Sequence, residues 1–119
     1  MSDWTLGAVE SRFADIIWKH GPLTSAALVR LAEEELHWKK STTYTVLKRL
    51  CNRGVFQNQK GVVSALISKE DFFTLRSEEF VEETFKGSLP AFLAAFTARK
   101  KLSDEEIDQL QKLIDRSRG

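Results

Sequence analysis

Apolar residues in this chain recur in three short bursts at helical spacing, and the period then drops to about two between residues 55 and 67. That order constrains the fold more than any other feature. Val9, Phe13, Ile16 and Ile17 fall at i, i+4, i+7 and i+8, and the stripe stops at His20-Gly21-Pro22. There a glycine is placed for a left-handed cap and proline forbids continuation. Thr24 or Ser25 can cap a second helix with Leu28, Leu31, Ala32 and Leu36 inward. Thr43, Val46, Leu47 and Leu50 form the stripe of a third, and Gly54 sits where a helix C-terminus favours it.

Past Gly54, the runs 55–59 and 62–67 flank Lys60-Gly61, which reads as a β-hairpin with a glycine-containing turn. The β-branched residues and Gly61 disfavour a helix there. Three helices and a hairpin with short connections match the winged form of the helix-turn-helix.

The remaining third is helical again. One pattern runs from about 70 to 86 and ends at Gly87, Ser88 caps a second, and Ser103-Asp104-Glu105-Glu106 forms a capping box for a third. The predicted fold is mainly α with a small β-hairpin: a winged helix-turn-helix domain over residues 1–69 and a three-helix dimerisation lobe over residues 70–119. Six of the eight phenylalanines lie between residues 72 and 96, more than so small a lobe can bury alone. A partner chain is the simplest cover. Phe80, Phe85, Leu89, Phe92, Leu93, Phe96, Ile107, Leu110 and Ile114 are the candidate dimerisation residues.

The formal charge of +1 conceals an asymmetry. Residues 1–69 carry 10 Lys/Arg against 6 Asp/Glu, whereas residues 70–119 carry 8 against 11. The basic half is the candidate polyanion binder. Opposite the apolar stripe of the third helix lie Ser41, Tyr44, Thr45, Lys48 and Asn52, flanked by Thr42, Arg49 and Arg53. Every one can hydrogen-bond, which is what a helix entering the major groove requires. Lys39 and Lys40 oppose the macrodipole at the helix start and are better understood as phosphate ligands. Lys60 adds a cation at the hairpin tip, where a wing would meet backbone or minor groove.

Other chemistries find little support. Cys51 is the only cysteine, which excludes an internal disulfide and any multi-thiolate metal site. Its position beside the apolar stripe suits a small core or boundary residue, with a redox-sensitive thiol as the alternative. His20 and His37 show no metal-ligand spacing. There is no nucleophile elbow, P-loop or dinucleotide fingerprint, so neither an enzyme nor a cofactor is expected. No apolar run approaches the ~18 residues of a membrane span, and the N-terminus lacks a signal-peptide pattern. The expectation is a cytoplasmic protein with no membrane insertion. A winged domain that binds another protein instead of DNA remains the alternative.

Several stretches together resemble the penicillinase-repressor (BlaI/MecI/CopY) family of transcriptional regulators. They are Asp15-Ile16-Ile17-Trp18, the segment Trp38 to Gly54 with Thr42, Thr45, Leu47, Arg49 and Leu50 in the family's order, Phe85-Lys86-Gly87-Ser88, and Leu102 to Ile107. The resemblance implies a homodimeric repressor on a palindromic double-stranded DNA operator, with an intertwined C-terminal lobe. It places Ser41, Tyr44 and Thr45 at positions that approach base edges and Arg49 at one that approaches the backbone. In β-lactam-responsive members a membrane sensor metalloprotease pathway triggers cleavage in the lobe, and the corresponding bond here is Ala95-Phe96. The family usually has Asn before that Phe, where this chain has Ala95. The copper-responsive branch carries a C-terminal cysteine cluster that this lobe lacks, and the wing here is shorter than in the best-known members and without their tyrosines.

Overall fold

The computed structural model describes residues 4–119. Its elements run α1 (Ala8–His20), β1 (Leu23–Thr24), α2 (Ser25–Leu36), α3 (Lys40–Asn52), β2 (Phe56–Gln59), β3 (Val62–Ala65), α4 (Lys69–Phe85), α5 (Leu89–Thr97) and α6 (Asp104–Arg116). The chain forms two compact units that divide within α4, between Glu79 and Phe80.

In the first unit, the inward stripes of α1 to α3 supply Phe13, Ile16, Ile17, Leu28, Ala32, Val46, Leu47 and Leu50 to one core. The sheet adds Val55, Phe56 and Val63, and Phe72 enters from α4. Trp18 binds these layers together. Its ring lies 5.3 Å from Phe56 and 5.5 Å from Phe72, distances typical of favourable aromatic pairs, and its Nε1–H donates to the Ile67 carbonyl at 3.1 Å.

The hairpin pairs β2 with β3, Phe56 opposite Ala65 and Gln59 opposite Val62. Lys60 and Gly61 both have positive φ, 52° and 83°, the combination that a type I′ turn requires and that matches the strand twist. Asn58 Oδ1 accepts from the Gly61 N–H at 3.1 Å and fixes the turn. A third strand, β1, pairs antiparallel with β3 through Leu23–Val63 and Thr24–Val62. Two residues carry no readable period, so the sequence gives no warning of it.

Two local expectations are corrected. Gly21 is not left-handed: it is extended, with φ −72° and ψ 157°. The proline that follows excludes helical geometry from the preceding residue, so Pro22 decides the conformation. Glycine is nevertheless required, because a Cβ would sit 2.7 Å from the Ile17 carbonyl oxygen. Val9, expected on the inward stripe of α1, is 49% exposed, and Leu6 ahead of the helix is buried instead. The α2 cap resolves in favour of Thr24, whose side chain accepts from the Ala27 N–H at 3.1 Å.

The second unit is capped as its sequence indicates. Ser88 accepts from the Ala91 N–H, and Ser103 and Glu106 form a reciprocal box at the start of α6. Phe80, Phe85 and Phe92 form a mutual edge-to-face triangle with centroids 5.7–6.0 Å apart, and Phe96 stacks on Phe92. None of residues 80–119 is fully buried. Phe96 is 57% exposed, Leu89, Ile107 and Ile114 are also exposed, and Phe85, Phe92, Leu93 and Leu110 are half-buried. Leu102 and Leu113, neither of them among the expected dimerisation residues, line an apolar cleft of about 310 Å³ between α5 and α6.

Candidate nucleic-acid interface

The interface is built on α3. Its inward side is closed by Thr43, Val46, Leu47 and Leu50, all buried, and the Thr43 hydroxyl donates to the Lys39 carbonyl at 3.3 Å, so its one polar group costs nothing. Helical geometry then turns Ser41, Thr42, Tyr44, Thr45, Lys48, Arg49 and Asn52 outward, and all are exposed. Lys39 is the N-cap and makes no side-chain cap bond, and no acid lies in the first turn. Lys39 and Lys40 are therefore exposed cations at the positive end of the helix dipole.

Three of the outward residues are held. Thr45 Oγ1 donates to the Ser41 carbonyl at 2.9 Å. The Tyr44 hydroxyl donates to Ser25 Oγ at 3.2 Å, and the Ser25 N–H donates to the Gly61 carbonyl at 2.8 Å. The outer face of α3, the start of α2 and the wing turn beside Lys60 are thereby linked in one unit. Arg49 Nη1 pairs with Glu10 Oε2 at 3.1 Å, and Glu10 Oε1 accepts from the Gly7 N–H at 3.3 Å. Arg53, half-buried, donates through Nη2 to the Thr5 carbonyl at 2.6 Å. Among the described residues, Lys39, Lys40, Lys48 and Lys60 form no ion pair.

The cations named from sequence are thus of two kinds. Arg49 and Arg53 are anchored to the stretch from Thr5 to Glu10, whereas the lysines are unrestrained. Sequence reasoning missed Glu10, Thr5 and Ser25 as partners of the face. Glu10 did carry a signal, since a carboxylate in the first turn of α1 is a capping residue, but nothing in the spacing joins it to a helix 39 residues away.

A cleft of about 320 Å³ lies beside the face, lined by Tyr44, Leu47, Lys48, Cys51 and Asn58. Cys51 is half-buried there, and desolvation pushes its thiol above the ordinary range, so it stays protonated near neutral pH. Among the described residues, no three His, Cys, Asp or Glu side chains gather into a group that could hold a metal, and no helix is long and apolar enough to cross a membrane.

Three helices, an outward polar third helix and a paired hairpin define a winged helix-turn-helix protein with a C-terminal helical lobe. The family described as penicillinase repressor matches residues 6–116, and the chain belongs to that family. It is accordingly a DNA-binding transcriptional repressor. It is 25% identical over 104 residues to the penicillinase repressor of Bacillus licheniformis, covering 84% of this chain and 81% of that protein. It is 20% identical over 117 residues to the methicillin resistance regulatory protein MecI of Staphylococcus aureus, covering 95% of each.

Proposed function

We propose that the repressor works as a homodimer on a palindromic operator, with α3 of each subunit in a major groove. Ser41, Tyr44 and Thr45 read base edges. Lys39, Lys40, Thr42, Lys48, Arg49 and Arg53 meet the phosphates, and Lys60 meets the backbone at the wing. The observation that carries this reading is the outer face of α3, which is exposed from Lys39 to Asn52 and bears only groups able to hydrogen-bond. Two such helices joined by a two-fold axis would sit about one DNA turn apart, ~34–36 Å, which is why the operator should be a palindrome.

The lobe supports the dimer half of the reading. A set of aromatic and aliphatic residues with none fully buried is an unfinished core, and a second copy completes it. Proteolytic derepression through a sensor metalloprotease pathway would fall on the Ala95-Phe96 bond. Both residues are exposed in the last turn of α5, where a cut would separate Phe92 from Phe96.

The test is a gel-shift titration of the full chain on a duplex carrying its own promoter, over a range of salt. Several phosphate contacts should make log K fall linearly with log salt at a slope near −0.9 per contact. Binding that ignores salt would reject the phosphate contacts.

A further inference from the structure

We infer that Glu10 is a specificity-determining residue of DNA binding. It holds the Arg49 guanidinium so that Arg49 meets a phosphate only in the register of the specific complex. The inference rests on the reading that α3 faces DNA, and adds to it a residue on α1 that touches no base.

A guanidinium on a mobile side chain follows the phosphates of any duplex, so it adds affinity without discrimination. Here the group already has a carboxylate partner. Arg49 Nη1 is fixed on Glu10 Oε2 at 3.1 Å, and Glu10 is itself fixed, its other oxygen accepting from the Gly7 N–H at 3.3 Å and its side chain only 23% exposed. The Arg49 side chain remains 55% exposed, so the rest of its planar fork is open to a second acceptor.

The pair has two consequences. Glu10 cancels the long-range attraction that Arg49 would exert on a passing polyanion, and it confines the open edge of the guanidinium to one position. A phosphate placed there by correct docking of α3 shares the guanidinium with Glu10. A phosphate on a duplex docked elsewhere meets a neutral pair. Arg53, one turn further on, is tied to the same stretch through the Thr5 carbonyl at 2.6 Å, so both arginines report register. Among the described residues, Lys39, Lys40, Lys48 and Lys60 form no ion pair and supply the indiscriminate affinity.

The experiment compares the full-length wild type, Glu10→Gln, Arg49→Gln and the double variant on two duplexes of equal length, one carrying the protein's own promoter and one of random sequence. Gln keeps a carbonyl for the Gly7 N–H but removes the charge that holds Arg49. Glu10→Gln should bind the random duplex about fivefold more tightly at low salt, with a salt slope steeper by about 0.9 as Arg49 neutralises one further phosphate. Affinity for the promoter duplex should change less than about twofold, so the specificity ratio falls. In the Arg49→Gln background, Glu10→Gln should leave the ratio unchanged.

The inference is overturned if Glu10→Gln shifts both duplexes equally or leaves the random duplex unaffected, or if the ratio falls just as far without Arg49. A merely structural role would move both duplexes together and would not touch the slope. Wild type that binds neither duplex would instead reject the reading of α3 on which the inference stands.

Discussion

The hydroxyl of Tyr44 donates to Ser25 Oγ at 3.2 Å, joining the middle of α3 to the start of α2. The ring is thereby held across the outer face rather than swinging freely, and the Ser25 N–H continues the link to the wing turn at Gly61. A side chain that is exposed yet positioned is suited to reading a base edge, because less rotamer freedom is lost on binding.

Tyr44→Ala should therefore relax preference at particular operator bases, whereas Lys40→Ala should weaken promoter and random duplexes alike and reduce the salt slope by about 0.9. Binding to a panel of single-base operator variants separates the two effects. Uniform losses for Tyr44→Ala across the panel would remove it from the reading set.

Charge at the centre of the lobe should break the proposed dimer. Phe92 contacts Phe80, Phe85 and Phe96 at centroid distances of 5.7–6.0 Å, so Phe92→Asp places a carboxylate among all three. Sedimentation should show monomers, and promoter binding should fall by about 100-fold or more as the effective-concentration gain of two linked half-sites is lost. An intact dimer would count against the lobe as the dimer contact.

Stability should respond unequally along α4. Phe72 is fully buried in the core of the first unit, so Phe72→Ala should cost about 3–5 kcal/mol in urea unfolding at any protein concentration. Phe80, 49% exposed two turns later, should show its effect in a concentration-dependent melting temperature. Concentration-independent melting for Phe80→Ala would contradict that assignment.

Gly21→Ala should destabilise by about 1–3 kcal/mol although Gly21 is exposed and extended, because the new methyl would meet the Ile17 carbonyl at 2.7 Å and backbone must move to admit it. Chemical denaturation with an unchanged m-value would register this as a loss of native stability.

Cys51 should alkylate more slowly in the folded protein than in urea at pH 8, since burial raises its pKa and reduces the thiolate fraction. The sign for stability follows. A thiol whose folded pKa lies above its unfolded value favours folding below the unfolded pKa, and that contribution fades as pH rises through the folded one. Alkylation at equal rates would show that the thiol is not shielded.

The helices were legible because each buries a stripe fixed by its own period. Thr43, Val46, Leu47 and Leu50 stand at helical spacing and are all buried, and the change of period after Gly54 marks the hairpin. Short or long-range relationships were not. The two residues of β1 are too few to show alternation, and they pair only because β3 passes beside them. The Arg49–Glu10 pair joins positions 39 apart in the chain through the tertiary fold, which no local pattern encodes. At Gly21 the local signal misled, because the restriction that proline places on the residue before it outweighs the left-handed preference of glycine.

The incomplete core of residues 80–119 also carries a physiological consequence. If a second copy completes it, as proposed, operator occupancy would follow roughly the square of copy number when the protein is scarce, so growth and dilution alone would sharpen the switch between silence and expression.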